Sequence, residues 1–423
     1  MAAKVRVLLS LAAVLIAMSL SGCGHYTCGA TFGNATCTPS GGGISGPGGG
    51  TTNSAVAFAY YVDQAGTMDG FSIDTTAGTF SIIPNYIAPV IPTSDLSIGV
   101  AVAQKKFLYT AFFSTEQIYG WSIDSNGQLT AVTGSPYSVG YLGGVGFTGY
   151  NQLNIITNPA GTLLFIADAG NAAIYVYTIG SDGSLTAATG SPLLTGSFQP
   201  WNMATDGLGK YLYVTNVDSL HEGFDTAAYT IGSDGSLTTI PGSPFSFPMW
   251  AVAGDPSGKY LIGTTGQTIA AGASSDDDHL YVFNIQQTGT SAGAISPVTN
   301  SPFATVYAPF NIAVQPNSSN GEFVYSFSPV DSNVNAGYNP VEAYAIDTAT
   351  GQLTTAANSP FSGLTPAIWG QFDQSGAYLF NYADISGPQL GVYGVASGTG
   401  ALTQPYSPIP MTFTGYWAVT DPQ

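Results

Sequence analysis

His221 and Glu222 stand side by side, three residues before Asp225. An imidazole beside carboxylates is the arrangement of a general base or of a metal-ligand set. His221 and Glu222 are therefore the candidate catalytic pair, although a solvated polar loop has the same composition. The run Asp276-Asp277-Asp278-His279 offers carboxylate oxygens of the kind calcium takes. It lacks the spaced ligands of a calcium loop and reads first as a solvated acidic loop. A Gly-X-Ser-X-Gly elbow, zinc-ligand spacing and a phosphate-binding loop are all missing from the sequence, so no metal or cofactor is expected. The aromatic residues say more. Four of the five tryptophans, Trp201, Trp250, Trp369 and Trp417, fall at one recurrent position. With Asn202 and Asn311 they form the candidate ligand-binding set. Indole faces stack on sugar rings or cations, and they equally fill gaps inside a fold.

The elements that would carry these residues come from internal repeats. One phrase is an aromatic strand, a Gly turn, Leu-Thr and then Ser-Pro, as in Ile174 to Pro192, Ala228 to Pro244, Ile118 to Pro136 and Glu342 to Pro360. Aligning the apolar residue after the turn gives Phe80, Leu129, Leu185, Leu237, Ile295, Leu353 and Leu402, spaced 49 to 58 residues apart. A second phrase, clearest in Asp255-Pro256-Ser257-Gly258-Lys259-Tyr260, precedes each copy and reads as a hairpin turn between two apolar strands. Each unit is thus four strands, A to D. Seven units predict an all-β fold, a seven-bladed β-propeller of four-stranded antiparallel blades over residues 55–423. The chain ends on a strand A at 416–422 and the domain opens on a strand B at 55–62. Their pairing is expected to close the ring and remove two open sheet edges. Trp201, Trp250, Trp369 and Trp417 then lie where strand A enters the central channel.

Asp-Pro-Ser-Gly-Lys-Tyr at 255–260 and Gly-Ser-Asp-Gly-Ser-Leu-Thr at 180–186 and 232–238 resemble the seven-bladed propeller lactonases, the 6-phosphogluconolactonase-like group, across residues 55–423. The resemblance implies the propeller fold and hydrolysis of a sugar lactone. These motifs are turn and strand chemistry. Members that act as enzymes place His and Arg at the strand A entrance. This chain has Pro200-Trp201-Asn202, Pro248-Met249-Trp250 and Pro309-Phe310-Asn311 there.

The first 22 residues read as an export signal: Lys4 and Arg6, then an apolar stretch too short for a membrane span. Leu20-Ser21-Gly22-Cys23 resembles the bacterial lipobox, which implies lipidation of Cys23 and attachment by the lipid alone. Gly24 rather than Asp after the cysteine resembles outer-membrane sorting. Residues 23–54 are then a Gly/Ser-rich linker in which Cys28 and Cys37 form the remaining pair for a disulfide in an oxidising envelope.

With Lys4 and Arg6 removed, four lysines and no arginine stand against 24 acidic residues, a net charge of −20. That balance disfavours nucleic acid and phosphorylated sugars. All four lysines fall in or beside A–B turns, leaving the end formed by the B–C and D–A connections the more acidic one. The expectation is an envelope-anchored, monomeric propeller that binds a neutral or cationic ligand, such as a glycan or a basic peptide. A lactone hydrolase and an interaction scaffold are the other two readings.

Overall fold

The computed structural model describes residues 26–27, 38–39, 56–63, 67–74, 79–91, 97–112, 115–139, 155–196, 199–217, 223–265, 278–316, 322–328, 341–361, 369–373, 375–383, 389–403, 409–410 and 415–420. The chain divides into Met1–Asn53 and Ser54–Gln423. In the first unit Tyr26–Thr27 pairs antiparallel with Thr38–Pro39. Cys23, Cys28 and Cys37 lie outside the described residues.

The second unit is a seven-bladed propeller. Blade 1 runs, from inner to outer strand, Gly415–Thr420, Val56–Asp63, Met68–Asp74 and Thr79–Ile82. The last strand of the chain therefore completes the first blade, with Tyr61 opposite Trp417 and Phe58 opposite Thr420. Blade 2 is Ser97–Ala103, Phe107–Phe112, Gln117–Ile123 and Leu129–Ala131. Blade 3 is Ile155–Thr157, Leu163–Asp168, Ala173–Ile179 and Leu185–Ala187. Blade 4 is Gln199–Thr205, Tyr211–Val217, Gly223–Ile231 and Leu237–Thr239. Blade 5 is Ala251–Gly254, Tyr260–Thr264, His279–Ile285 and Ile295–Pro297. Blade 6 is Asn311–Val314, Glu322–Phe327, Val341–Ile346 and Leu353–Thr355. Blade 7 is Trp369–Phe372, Tyr378–Ala383, Gln389–Val395 and Leu402–Thr403.

The middle strands read as unbroken apolar runs because both their faces are buried. In Val56–Asp63, Phe58, Tyr60 and Val62 pack towards blade 2, while Ala57, Ala59 and Tyr61 pack towards blade 7. Side chains alternate across a strand, so a strand between two neighbours needs apolar residues at every position. The closing interface joins Ala57, Tyr61 and Phe71 to Phe380, Leu390 and Val392.

The two repeated phrases have separate structural roles. In the hairpin phrase, the Asp carboxylate caps its own turn. Asp255 Oδ1 accepts the Tyr260 N–H at 2.6 Å, and its Oδ2 takes the Ser257 hydroxyl. Asp206 and Asp373 do the same with Tyr211 and Tyr378 at 2.8 Å, and Asn158 does it with Leu163 at 2.9 Å. In the Ser-Pro phrase the Ser Oγ accepts a strand C amide that the outer strand leaves free. Val176 N–H reaches Ser191 Oγ at 2.9 Å, Ala228 reaches Ser243 at 2.9 Å and Ala343 reaches Ser359 at 2.9 Å. Beyond the Ser-Pro step the chain returns to pair with the start of strand C, as Leu193–Leu194 does with Ala173–Ile174. The outer strand is therefore interrupted rather than continuous, a feature the repeat spacing alone did not show.

Candidate functional site

The end of the channel formed by B–C and D–A connections is where the tryptophans were expected to gather. Trp201 and Trp250 do meet there, with ring centroids 4.9 Å apart and planes tilted by 50°. Phe310 continues the array, 5.4 Å from Trp250. They lie at the entrances of successive inner strands of blades 4, 5 and 6: Trp201 within Gln199–Thr205, Trp250 just before Ala251–Gly254 and Phe310 just before Asn311–Val314. All three are buried, Trp201 at 2%, Trp250 at 7% and Phe310 at 0% exposure. They share one core cluster with Val217, Ile262 and Val324, and the half-buried Trp369 packs against it. The rings fill the wedges between blades, and the Trp250 Nε1–H is buried without an acceptor. Trp417 sits in the inner strand of blade 1; its side chain lies outside the described residues.

Asn202 is a clip between inner strands. Its Oδ1 accepts the Val252 N–H of the next blade at 2.9 Å, and its own N–H donates to Thr215 Oγ1 at 3.0 Å. Asn311 is half-buried and its Oδ1 lies against the N–H of Ile312. His221, Glu222, Asp276 and Asp277 lie outside the described residues. Asp278 is exposed and His279 half-buried at the start of strand C of blade 5.

Three buried carboxylates at this end accept hydrogen bonds from uncharged donors. Asp225 is 5% exposed and accepts Asn216 Nδ2 at 2.7 Å. The other amide atom, Asn216 Oδ1, is buried without a partner. Loss of hydration raises the Asp225 carboxyl above its ordinary value, with the Asn216 hydrogen bond opposing. Glu342 is fully buried and takes the N–H groups of Val306 and Tyr307 and the Tyr344 hydroxyl, at 3.0, 3.1 and 2.8 Å. Burial raises its pKa too. Asp168 accepts the Asn171 amide at 2.7 Å. Sequence reasoning did not single out Asp168 or Glu342 as buried groups, since each reads as an ordinary strand-end acid. At the other end Asp206, Asp255 and Asp373 are buried caps of the A–B turns. Among the described residues no three His, Cys, Asp or Glu side chains are grouped as a metal site.

The A–B turn end of the channel holds a cavity of about 740 Å3. Inner-strand residues Val102, Ile156, Val314 and Gln371 line it, and the turns carrying Lys105, Asp206 and Asp373 form its rim. Gln371 Oε1 is buried and unpaired. Val102, Ile156 and Val314 offer apolar contact, Thr157, Thr205, Gln371 and Lys105 add polar groups, and both carboxylates already hold turn amides.

No family model and no curated protein matches the sequence. Solved structures do match. A 6-phosphogluconolactonase-like protein from Bacteroides uniformis superposes with a TM-score of 0.63 at 14% identity, over 86% of this chain and 99% of that one. This chain has the lactonase-like propeller fold. A similar protein from Bacteroides fragilis gives 0.60 at 15% identity, over 88% and 99%. The periplasmic gluconolactonase of Pseudomonas aeruginosa gives 0.58 at 14%, over 86% and 99%. At such identity the likeness is one of blades and closure. An activity must be argued from this chain's own side chains.

Proposed function

We propose that the chain is a ligand-binding propeller, held at the cell envelope by a lipidated Cys23, and that its ligand is neutral or cationic rather than a sugar phosphate. The observation that carries this reading is how the buried carboxylates are held. Asp168, Asp225 and Glu342 at one end, and Asp206, Asp255 and Asp373 at the other, rest on amides, hydroxyls and backbone N–H groups. Residues 55–423 contain no arginine, and the four lysines sit in or beside the A–B turns. A phosphorylated lactone needs cations to replace its hydration, and the strand A entrances at 200–202, 248–250 and 309–311 carry none.

Lactone hydrolysis is the second reading. The raised Asp225 carboxyl favours it, because a carboxyl that carries its proton closer to neutral pH can serve as an acid. The two readings separate in one assay. The full chain is incubated with gluconolactone and its 6-phosphate ester, and ring opening is followed by proton release. The expected result is no turnover above the spontaneous rate, with a melting shift from neutral glycans or basic peptides. Turnover lost in both His221→Ala and Asp225→Asn would replace the binding reading with the hydrolase. Anchoring is read separately by mass spectrometry: a diacylglyceryl adduct on Cys23, absent from Cys23→Ser, supports it.

A further inference from the structure

The A–B turn end of a propeller is commonly just the back of the blades. Here it forms an open cavity of about 740 Å3, within the roughly 300–1,000 Å3 typical of small-molecule sites. Its rim is built from backbone packed on backbone. A Cβ on Gly161 would run into the Gln104 backbone N, one on Gly207 into the Asp255 carbonyl, and one on Gly376 into the Pro316 carbonyl. Glutamine side chains tie two of these joints, and a third clips two turns of blade 5 together. Gln104 Nε2 donates to Gly161 O at 3.1 Å, Gln287 Nε2 to Gly258 O at 2.8 Å and Gln315 Nε2 to Gly376 O at 2.7 Å. Turns nested in this way fix the size of the opening before any ligand arrives, which lowers the ordering cost of binding.

The walls state what fits. Val102, Ile156 and Val314 present apolar surface from three inner strands. Asp206 and Asp373 already accept turn amides, so they have little capacity left for an incoming cation. Lys105 alone lends the lining positive charge, too little to hold a dianion. Gln371 is different. Its Oε1 is buried without a donor while the residue is half-buried in the cavity wall, so a ligand hydroxyl reaching that oxygen would satisfy it.

We propose that this cavity, at the opposite end of the channel from the tryptophan array, is the binding site for a neutral ring molecule with an apolar face and a hydroxyl donor, the pattern of a pyranose or a cyclic alcohol. The ring lies against Val102, Ile156 and Val314, and its hydroxyl donates to Gln371 Oε1. This rests on the reading above that the ligand carries no negative charge.

The test uses the full chain, with methyl glucoside, cyclohexanol and glucose 6-phosphate as probes, followed by saturation-transfer NMR and calorimetry. The two neutral probes are expected to bind and the phosphate is not. Ile156→Trp, which fills the cavity, should weaken binding at least tenfold. Gln371→Leu should weaken it roughly two- to tenfold, the value of one neutral hydrogen bond. Trp250→Phe, at the other end, should leave it unchanged. Each variant is first shown by circular dichroism to melt cooperatively. Neutral-probe binding that survives Ile156→Trp and falls in Trp250→Phe would overturn the cavity while leaving the neutral-ligand reading intact. Preference for glucose 6-phosphate would overturn both. Failure of either neutral probe to bind at millimolar concentration would overturn the cavity assignment.

Discussion

The phenol of Tyr109 in blade 2 donates its proton to the carbonyl of Gly183 in blade 3, at 2.7 Å. The same latch joins Tyr60 to Gly127, Tyr213 to Gly293 and Tyr325 to Gly400, at 2.8, 2.9 and 2.7 Å. In each pair a strand B tyrosine reaches the C–D turn of the following blade. The glycine is required twice over. Gly183 has a φ of 82°, and a Cβ on it would sit 2.5 Å from the Phe107 ring of the preceding blade. The Gly-Ser-Asp-Gly phrase is thus a socket for a neighbour.

Removing one latch hydroxyl should be measurable. Tyr109→Phe leaves the Gly183 carbonyl unpaired in a buried setting. We expect a loss of about 1–2 kcal/mol in urea unfolding with an unchanged m-value. Phe165 already occupies the corresponding place in blade 3 and is fully buried, so the ring itself is tolerated and the change isolates the hydroxyl.

The buried Asp225 makes a prediction with a sign. Its folded pKa is raised above the ordinary 3.8. The folded state therefore holds the proton over a window where the unfolded chain has lost it. Stability from this group is full below that window and declines as pH rises through it. Asp225→Asn removes the titration, and its new N–H can donate to the unpaired Asn216 Oδ1. The variant should match the parent at low pH and exceed it by about 1 kcal/mol at neutral pH. Equal melting temperatures of the two proteins across the whole pH range would count against the buried pair.

The tryptophan array separates packing from recognition. Trp250→Ala should cost about 3–5 kcal/mol of stability, as a large core truncation does. Trp250→Phe keeps a ring against Trp201 and Phe310 and discards the unpaired indole N–H, so it should cost much less. Loss of stability below 1 kcal/mol in the alanine variant would indicate a ring that packs against nothing.

Deleting residues 415–423 should unfold the whole ring. Val56–Asp63 would lose its partner strand, and blade 1 would expose a sheet edge on the channel side. A truncated protein that melts within a few degrees of the parent would contradict a cooperative ring.

Blade number, strand order and closure were readable in the chain because they depend on local periodicity and turn chemistry. Phe80, Leu129, Leu185, Leu237, Ile295, Leu353 and Leu402 each begin or lie in the outer strand they marked. The site was less legible. Trp201, Trp250 and Trp369 were correctly set at the start of inner strands, but which way a ring points depends on the neighbouring blade. The hairpin phrase was read as a turn, without the burial of its Asp. Its spacing to Ser257, Gly258 and Tyr260 is that of a carboxylate folding back on its own turn, and that signal was present. The cavity had none, because its wall residues come from inner strands far apart in the chain.

The closure of blade 1 also sets a delay on synthesis. Val56–Asp63 is made about 350 residues before its inner partner Gly415–Thr420. At about 5–20 residues per second, translation separates them by on the order of 20–70 s. For that interval the first blade carries an open, apolar strand edge that any other chain could pair with. Until then, the fold of this ring gives that edge no partner of its own.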